Sequence, residues 1–156
     1  MDIVITAVNI FNFLYNPIIF PTLIAYLSSV VGKIIHESIT TRHLVIQVAI
    51  KDGGMPSSHT ATVIGLSTAI FLHEGMSTVF WVSLVFAFVV MKDATGIRWE
   101  TGQQAKVINQ ILKKLRMGKV VEEDLKELLG HTEAQVVGGF IFGVVFSYLA
   151  HTVFFG

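Results

Sequence analysis

Four long apolar runs, separated by segments that hold nearly all the charge, limit what this chain can fold into. They cover about residues 17–35, 57–72, 76–91 and 132–155. A helix needs roughly 20 apolar residues to cross about 30 Å of hydrocarbon, and each run approaches that length. Within hydrocarbon every backbone N–H and C=O must be satisfied inside its own segment, which selects helices. The expectation is an all-α integral membrane bundle of about four transmembrane helices, forming a single domain over residues 1–156. Composition agrees: 53% of residues are hydrophobic and 14% charged, against about 25% charged in a soluble domain. An apolar lead-in, Ile3 to Tyr15, is expected to lie in the interface or extend the first span.

Eleven Lys and Arg balance eleven Asp and Glu, so the basic excess of a nucleic-acid binder is missing and no nucleic-acid partner is expected. Without cysteine there is no disulfide framework and no thiolate chemistry. No basic residue precedes Lys33, so a secretory n-region is lacking and the first apolar run should remain in the mature protein. Every Lys and Arg lies between Lys33 and Lys126. With four spans, the first and third loops carry all of them on one face. The positive-inside rule makes that face cytoplasmic and puts both termini outside. A separate crossing by Ile3–Tyr15 would move the N-terminus inside and leave the loops where they are.

Residues 102–129 are of a different kind. Val107, Ile108, Ile111, Leu112 and Leu115 recur at helical spacing among Lys106, Lys113, Lys114 and Arg116. After Met117-Gly118 the pattern resumes with Val121, Leu125, Leu128 and Leu129. Two amphipathic helices are expected, lying on the cytoplasmic surface of the membrane or packed on protein.

Three polar clusters go beyond what a membrane span requires. In Gly53-Gly54-Met55-Pro56-Ser57-Ser58-His59 a glycine turn opens the second span. Ser57 can cap it, and its free N–H groups suit phosphate. His59 stands in the first turn, where an imidazole can exchange a proton near neutral pH. In Asp93-Ala94-Thr95-Gly96-Ile97-Arg98 the third span leaves the membrane. Arg98 can clamp an oxyanion, and Asp93, costly at apolar depth unless paired, can orient a histidine or an arginine. In Gly130-His131-Thr132-Glu133-Ala134-Gln135 a second histidine precedes a helix start of capping-box form.

The spans themselves suggest how the clusters meet. Ser57, Ala61, Gly65 and Ala69 recur every fourth residue in the second, and Gly139, Gly143 and Ser147 in the fourth. Small residues at this spacing let membrane helices approach closely. Pairing the two stripes would bring His59 and His131 to one depth. Two imidazoles, two helix N-termini and a guanidinium suit phosphoryl transfer: a nucleophile, a general acid and cations for the oxyanions.

At these residues the chain resembles a known family. GGMPSSHTA (Gly53–Ala61), DATGIRWETGQQAKVINQ (Asp93–Gln110) and LKELLGHTEAQVVGG (Leu125–Gly139) look like the divergent branch of the type 2 phosphatidic acid phosphatases. That family is related to acid phosphatases and vanadium-dependent haloperoxidases. Its main members carry Lys-x6-Arg-Pro, Pro-Ser-Gly-His and Ser-Arg-x5-His-x3-Asp motifs. Pro56-Ser57-Ser58-His59 resembles the second, which makes His59 the implied general acid. His131 and Gln135 resemble the end of the third, which makes His131 the implied nucleophile and Arg98 the counterpart of its arginine. Gln135 replaces an acidic residue, and Asp93 is the alternative carboxylate. The first motif is not intact, leaving Lys33 and Lys51 as candidate phosphate ligands beside Ser57 and Ser58.

The resemblance implies a membrane phosphatase that cleaves a lipid phosphomonoester or diphosphate. Phosphatidylglycerophosphate or phosphatidic acid at the cytoplasmic face would suit the basic loops. The competing expectation is a membrane scaffold or assembly factor that keeps the fold without turnover. No cofactor is required by this inventory, although Asp52, Asp93 and Glu100 would allow a divalent cation. Partners expected are the bilayer and its lipid phosphates, and four short helices leave room for a homodimer.

Overall fold

The computed structural model describes residues 13–50, 53–114 and 130–156. It contains α1 (Ile19–Thr41), a short 3-10 turn (Ile46–Ile50), α2 (Ser58–Glu74), α3 (Thr78–Thr95), α4 (Ile97–Lys114) and α5 (Glu133–Phe155). Among the described residues there is no strand. α1, the stretch from α3 into α4, and α5 are each long and apolar enough to cross a membrane. α2 has 17 residues, about 25 Å at 1.5 Å per residue, and lies at the centre of the bundle.

Local chemistry sets where these helices begin. Asn16 Oδ1 accepts from the N–H groups of Ile18 and Ile19 at 2.9 and 3.2 Å, which closes the turn leading into α1. Ser57 Oγ accepts from Thr60 N–H at 3.3 Å, and Ser77 Oγ accepts from Phe80 N–H at 3.2 Å. Thr132 and Gln135 form the capping box expected from the sequence. Gly96 separates α3 from α4. α4 starts five residues before the expected insert at 102, and its Val107, Ile108 and Ile111 are exposed. The second expected amphipathic helix, and most of the Ile3–Tyr15 lead-in, lie outside the described residues.

Hydroxyls inside the spans are turned back on their own helices. Ser28, Ser67 and Thr68 donate to the carbonyls of Ile24, Val63 and Ile64 at 2.7–3.0 Å. This satisfies them without water and leaves their outer surfaces apolar.

Contacts at the two ends fix the direction of each helix. Phe20, at the start of α1, meets Phe154 and Phe155 at the end of α5. His73, at the end of α2, meets His151 of α5 with ring centroids 6.3 Å apart. His59 and His131 meet at the opposite end. α2 and α5 therefore run parallel, while α1 and α3 run against them.

α2 packs on α1, α3 and α5, and α1 also packs on α5. α3 and α5 scarcely touch. The α2–α5 seam is the predicted pair of small-residue stripes, joined rung by rung. A Cβ on Gly139 would run into the Ser57 carbonyl oxygen, and one on Gly143 would stand 2.9 Å from the Ala61 carbonyl oxygen. At the third rung Ser147 Oγ donates to the Gly65 carbonyl at 2.8 Å. A Cβ on Gly65 would lie 2.7 Å from Ala25 Cβ, so α1 closes on the same point. Gly65→Leu should therefore disturb assembly, read as loss of the monodisperse detergent-solubilised species in size-exclusion chromatography. A variant that elutes and melts as wild type would disprove the three-helix contact.

Candidate active site

At the end of the bundle where α2 and α5 begin, a cavity of about 320 Å³ is lined by Gly53, His59, Val89, Val90, Asp93, Ala94, Arg98, Gly130 and His131. All three polar clusters of the sequence contribute to it. His59 and His131 face each other there with ring centroids 6.0 Å apart and planes at 62°. Their meeting follows from the α2–α5 seam, because His59 lies two residues beyond Ser57 in the rung against Gly139.

His131 is 4% exposed and held from two sides. Its backbone N–H donates to the Ala94 carbonyl at 2.9 Å, which ties the entrance of α5 to the end of α3. Its ring nitrogen Nδ1 lies 3.1 Å from Gln135 Oε1. That same oxygen accepts from Thr132 N–H at 3.1 Å. A backbone N–H can only donate, so the Gln135 atom facing both partners must be the amide oxygen. Nδ1 of His131 therefore carries a proton and donates it. In the neutral ring the lone pair then sits on Nε2, the atom a phosphorus electrophile would need.

Gly130 makes the approach to Arg98 feasible. Its φ is +81°, a left-handed conformation that glycine adopts without steric penalty. A Cβ there would collide with the backbone nitrogen of Trp99. The chain before α5 thus lies directly on the first turn of α4, and Arg98 and His131, far apart in sequence, share one cavity.

Asp93 pairs with Arg98, with Nε donating to Oδ2 at 2.8 Å. Of the two partners open to Asp93 in the sequence, the structure gives it the arginine. The contact uses Nε alone, and a guanidinium carries further donors on its terminal nitrogens. The Arg98 side chain is 52% exposed, so the pair orients a cation at the cavity rim more than it stabilises the fold.

The remaining candidates stand elsewhere. Ser57 is fully buried and its hydroxyl is committed to capping α2, accepting also from Thr60 Oγ1 at 3.1 Å. Ser58 is buried in the first turn of α2. Neither lines the cavity, because helix capping turns the Ser57 side chain back onto its own backbone. Lys33 is 2% exposed, and its Cγ and Cδ lie 3.2 Å from where a Cβ on Gly54 would be. It therefore sits behind the glycine turn and off the cavity wall. Lys51 and Asp52 lie outside the described residues. Glu100 is exposed on α4. Sequence reasoning missed the apolar wall of Val89, Val90 and Ala94. Its signal was the spacing of Val90 and Ala94, which share a face of α3 about one turn apart.

The Gln135 arrangement yields a direct test. Gln135→Leu leaves the part-buried His131 Nδ1–H without its acceptor, at a cost of about 1–3 kcal/mol, read as a lower thermal midpoint. Gln135→Glu keeps the acceptor but adds a negative charge that favours protonated imidazole. The acid limb of any activity–pH profile should therefore move to higher pH in this variant. An unchanged profile in a folded Gln135→Glu protein would remove Gln135 from control of His131.

A model of the divergent PAP2 family matches residues 14–146, a range that includes all three clusters. An uncharacterised membrane protein of Bacillus subtilis, YuiD, is 37% identical over 139 residues, covering 81% of this chain and 88% of that protein. No solved structure matches the chain. The match runs from before α1 into α5 and takes in both cavity histidines, and this integral membrane protein belongs to the divergent PAP2 family.

Proposed function

We propose that the protein is a lipid-phosphate phosphatase with His131 as nucleophile and His59 as general acid. The observation that carries this reading is the pair of imidazoles facing across one cavity, 6.0 Å apart, with Arg98 on the same wall. The Nε2 lone pair of His131 attacks phosphorus, and the bond from phosphorus to the lipid oxygen breaks. His59 donates its proton to that oxygen, releasing the lipid alcohol. Arg98 and the positive N-terminal end of α2 receive the charge on the phosphoryl oxygens. Lys33 adds positive charge from behind the glycine turn. Water then attacks the phosphohistidine, His59 takes its proton, and inorganic phosphate leaves as His131 regains its lone pair.

A second reading, a fold retained without turnover, draws on Gln135. Its amide fixes the imidazole tautomer as a carboxylate would, but it brings no charge to stabilise an imidazolium. Phosphate release by purified protein from phosphatidic acid, phosphatidylglycerophosphate and polyprenyl phosphates, with and without chelator, separates the two. Release from any of them above the His131→Ala background supports the phosphatase. Uniform absence in folded protein supports the scaffold.

The site is proposed to open to the cytoplasm, following the one-sided distribution of the basic residues. Met76, 70% exposed at the opposite end, and Lys114 on α4 are suitable reporters in a chain without cysteine. Met76→Cys should react with a membrane-impermeant thiol reagent in intact cells, and Lys114→Cys only after lysis. The reverse pattern would turn the site outward and favour polyprenyl substrates.

A further inference from the structure

A second cavity, of about 350 Å³, runs along the middle of the bundle and is lined from three helices. α2 forms its floor with Ile64, Ser67, Thr68, Phe71 and Leu72, α3 contributes Phe80 and Leu84, and α5 contributes Phe140, Val144 and Tyr148. It exists because α3 and α5 both pack on α2 yet scarcely meet each other, leaving a cleft between them at the depth of the hydrocarbon. Its two polar floor residues present no free donors to it. Ser67 and Thr68 hydroxyls are bonded to carbonyls one turn back in α2.

The cleft lies further along α2 and α3 from the catalytic cavity, with no lining residue in common. Ile64 lines the second cavity and Val90 the first, and the two pack in one apolar cluster around Ala87. α2 and α3 border both, with α2 leading from His59 to Leu72, about 20 Å along the axis at 1.5 Å per residue. At the far end the rings of Phe71 and Phe80 meet at a tilt of 49° with centroids 5.3 Å apart. A packed helix from a second copy would need an open face at an interaxial distance of about 8–10 Å. A cleft between two helices already seated on α2 takes something thinner.

We propose that this cleft binds one hydrocarbon chain of the phosphate-bearing lipid, and that the Phe71–Phe80 pair stops it, so that the protein selects substrates by chain length. The assignment rests on the phosphatase reading for its headgroup end, but binding can be measured apart from turnover. The phosphate sits between His59 and His131, and the chain descends past Ile64 and Val90 to the aromatic stop. A water-soluble phosphomonoester would engage only the first cavity.

The test uses full-length, detergent-solubilised protein and phosphatidic acids with saturated chains of graded length, binding being counted by native mass spectrometry. Wild type should show a length optimum. Phe80→Ala should move it to longer chains, changing the ratio of long to short by about tenfold or more. Ser67→Phe, which fills the middle of the cleft, should abolish the length dependence, with a thermal melt reporting whether it stays folded. Equal binding of all lengths to wild type, or the same optimum in wild type and Phe80→Ala, overturns the proposal. The matching diacylglycerols control for lipid merely surrounding the helices. If they bind as tightly and their ranking ignores Phe80→Ala, the cleft is not a substrate site. Phosphate release from the same samples is scored separately. Length-dependent binding that Phe80→Ala shifts, without release, keeps the cleft and removes the phosphatase; release without length dependence does the opposite.

Discussion

His131→Ala should abolish phosphate release, and His59→Ala should lower kcat by about 10²–10⁴. The two effects differ in kind. In the proposed mechanism, loss of the His131 imidazole removes the atom that takes the phosphoryl group, whereas loss of His59 leaves a leaving group that must depart unprotonated. Neither change should unfold the protein. The contact from His131 N–H to the Ala94 carbonyl is made by backbone and survives the substitution, and Thr132 still caps α5 through Gln135. His59 is exposed toward the cavity and carries none of the α2–α5 seam. Release assays on phosphatidic acid, with thermal melts of the same preparations, read both effects. Near-wild-type release by folded His131→Ala would end the phosphohistidine mechanism.

Gly139→Ala should destabilise the bundle by about 1–3 kcal/mol and impair activity, while Gly138→Ala next to it should be tolerated. A methyl group on Gly139 has nowhere to go, since it would meet the Ser57 carbonyl oxygen and stand 2.8 Å from Thr60 Cβ. Both obstacles belong to the first turn of α2, so relief requires the two helices to separate where they hold His59 against His131. On Gly138 the nearest atom is the tip of the Met55 side chain at 3.4 Å, which can swing aside. Removing a helical glycine there should even stabilise by up to about 0.5–1 kcal/mol. Thermal unfolding in detergent ranks the pair. Equal midpoints for the two variants would refute the close-packed seam.

What the sequence determined by itself was whatever depends on neighbours along the chain. Apolar runs long enough to cross a bilayer, the caps at Ser57 and Thr132–Gln135, and the small residues every fourth position are local properties, legible because hydropathy and capping act within a few residues. The stripes even carried the α2–α5 pairing, since only small residues permit such an approach. Tertiary structure decided the rest, because the direction of a side chain from a helix depends on how that helix is rotated and crossed against its partners. That rotation buries Lys33 behind Gly54. It gives Asp93 to Arg98 and lets one amide oxygen of Gln135 serve both Thr132 and His131. The cleft between α3 and α5 has no signature in either helix alone: it arises because both found the same partner, α2, and not each other.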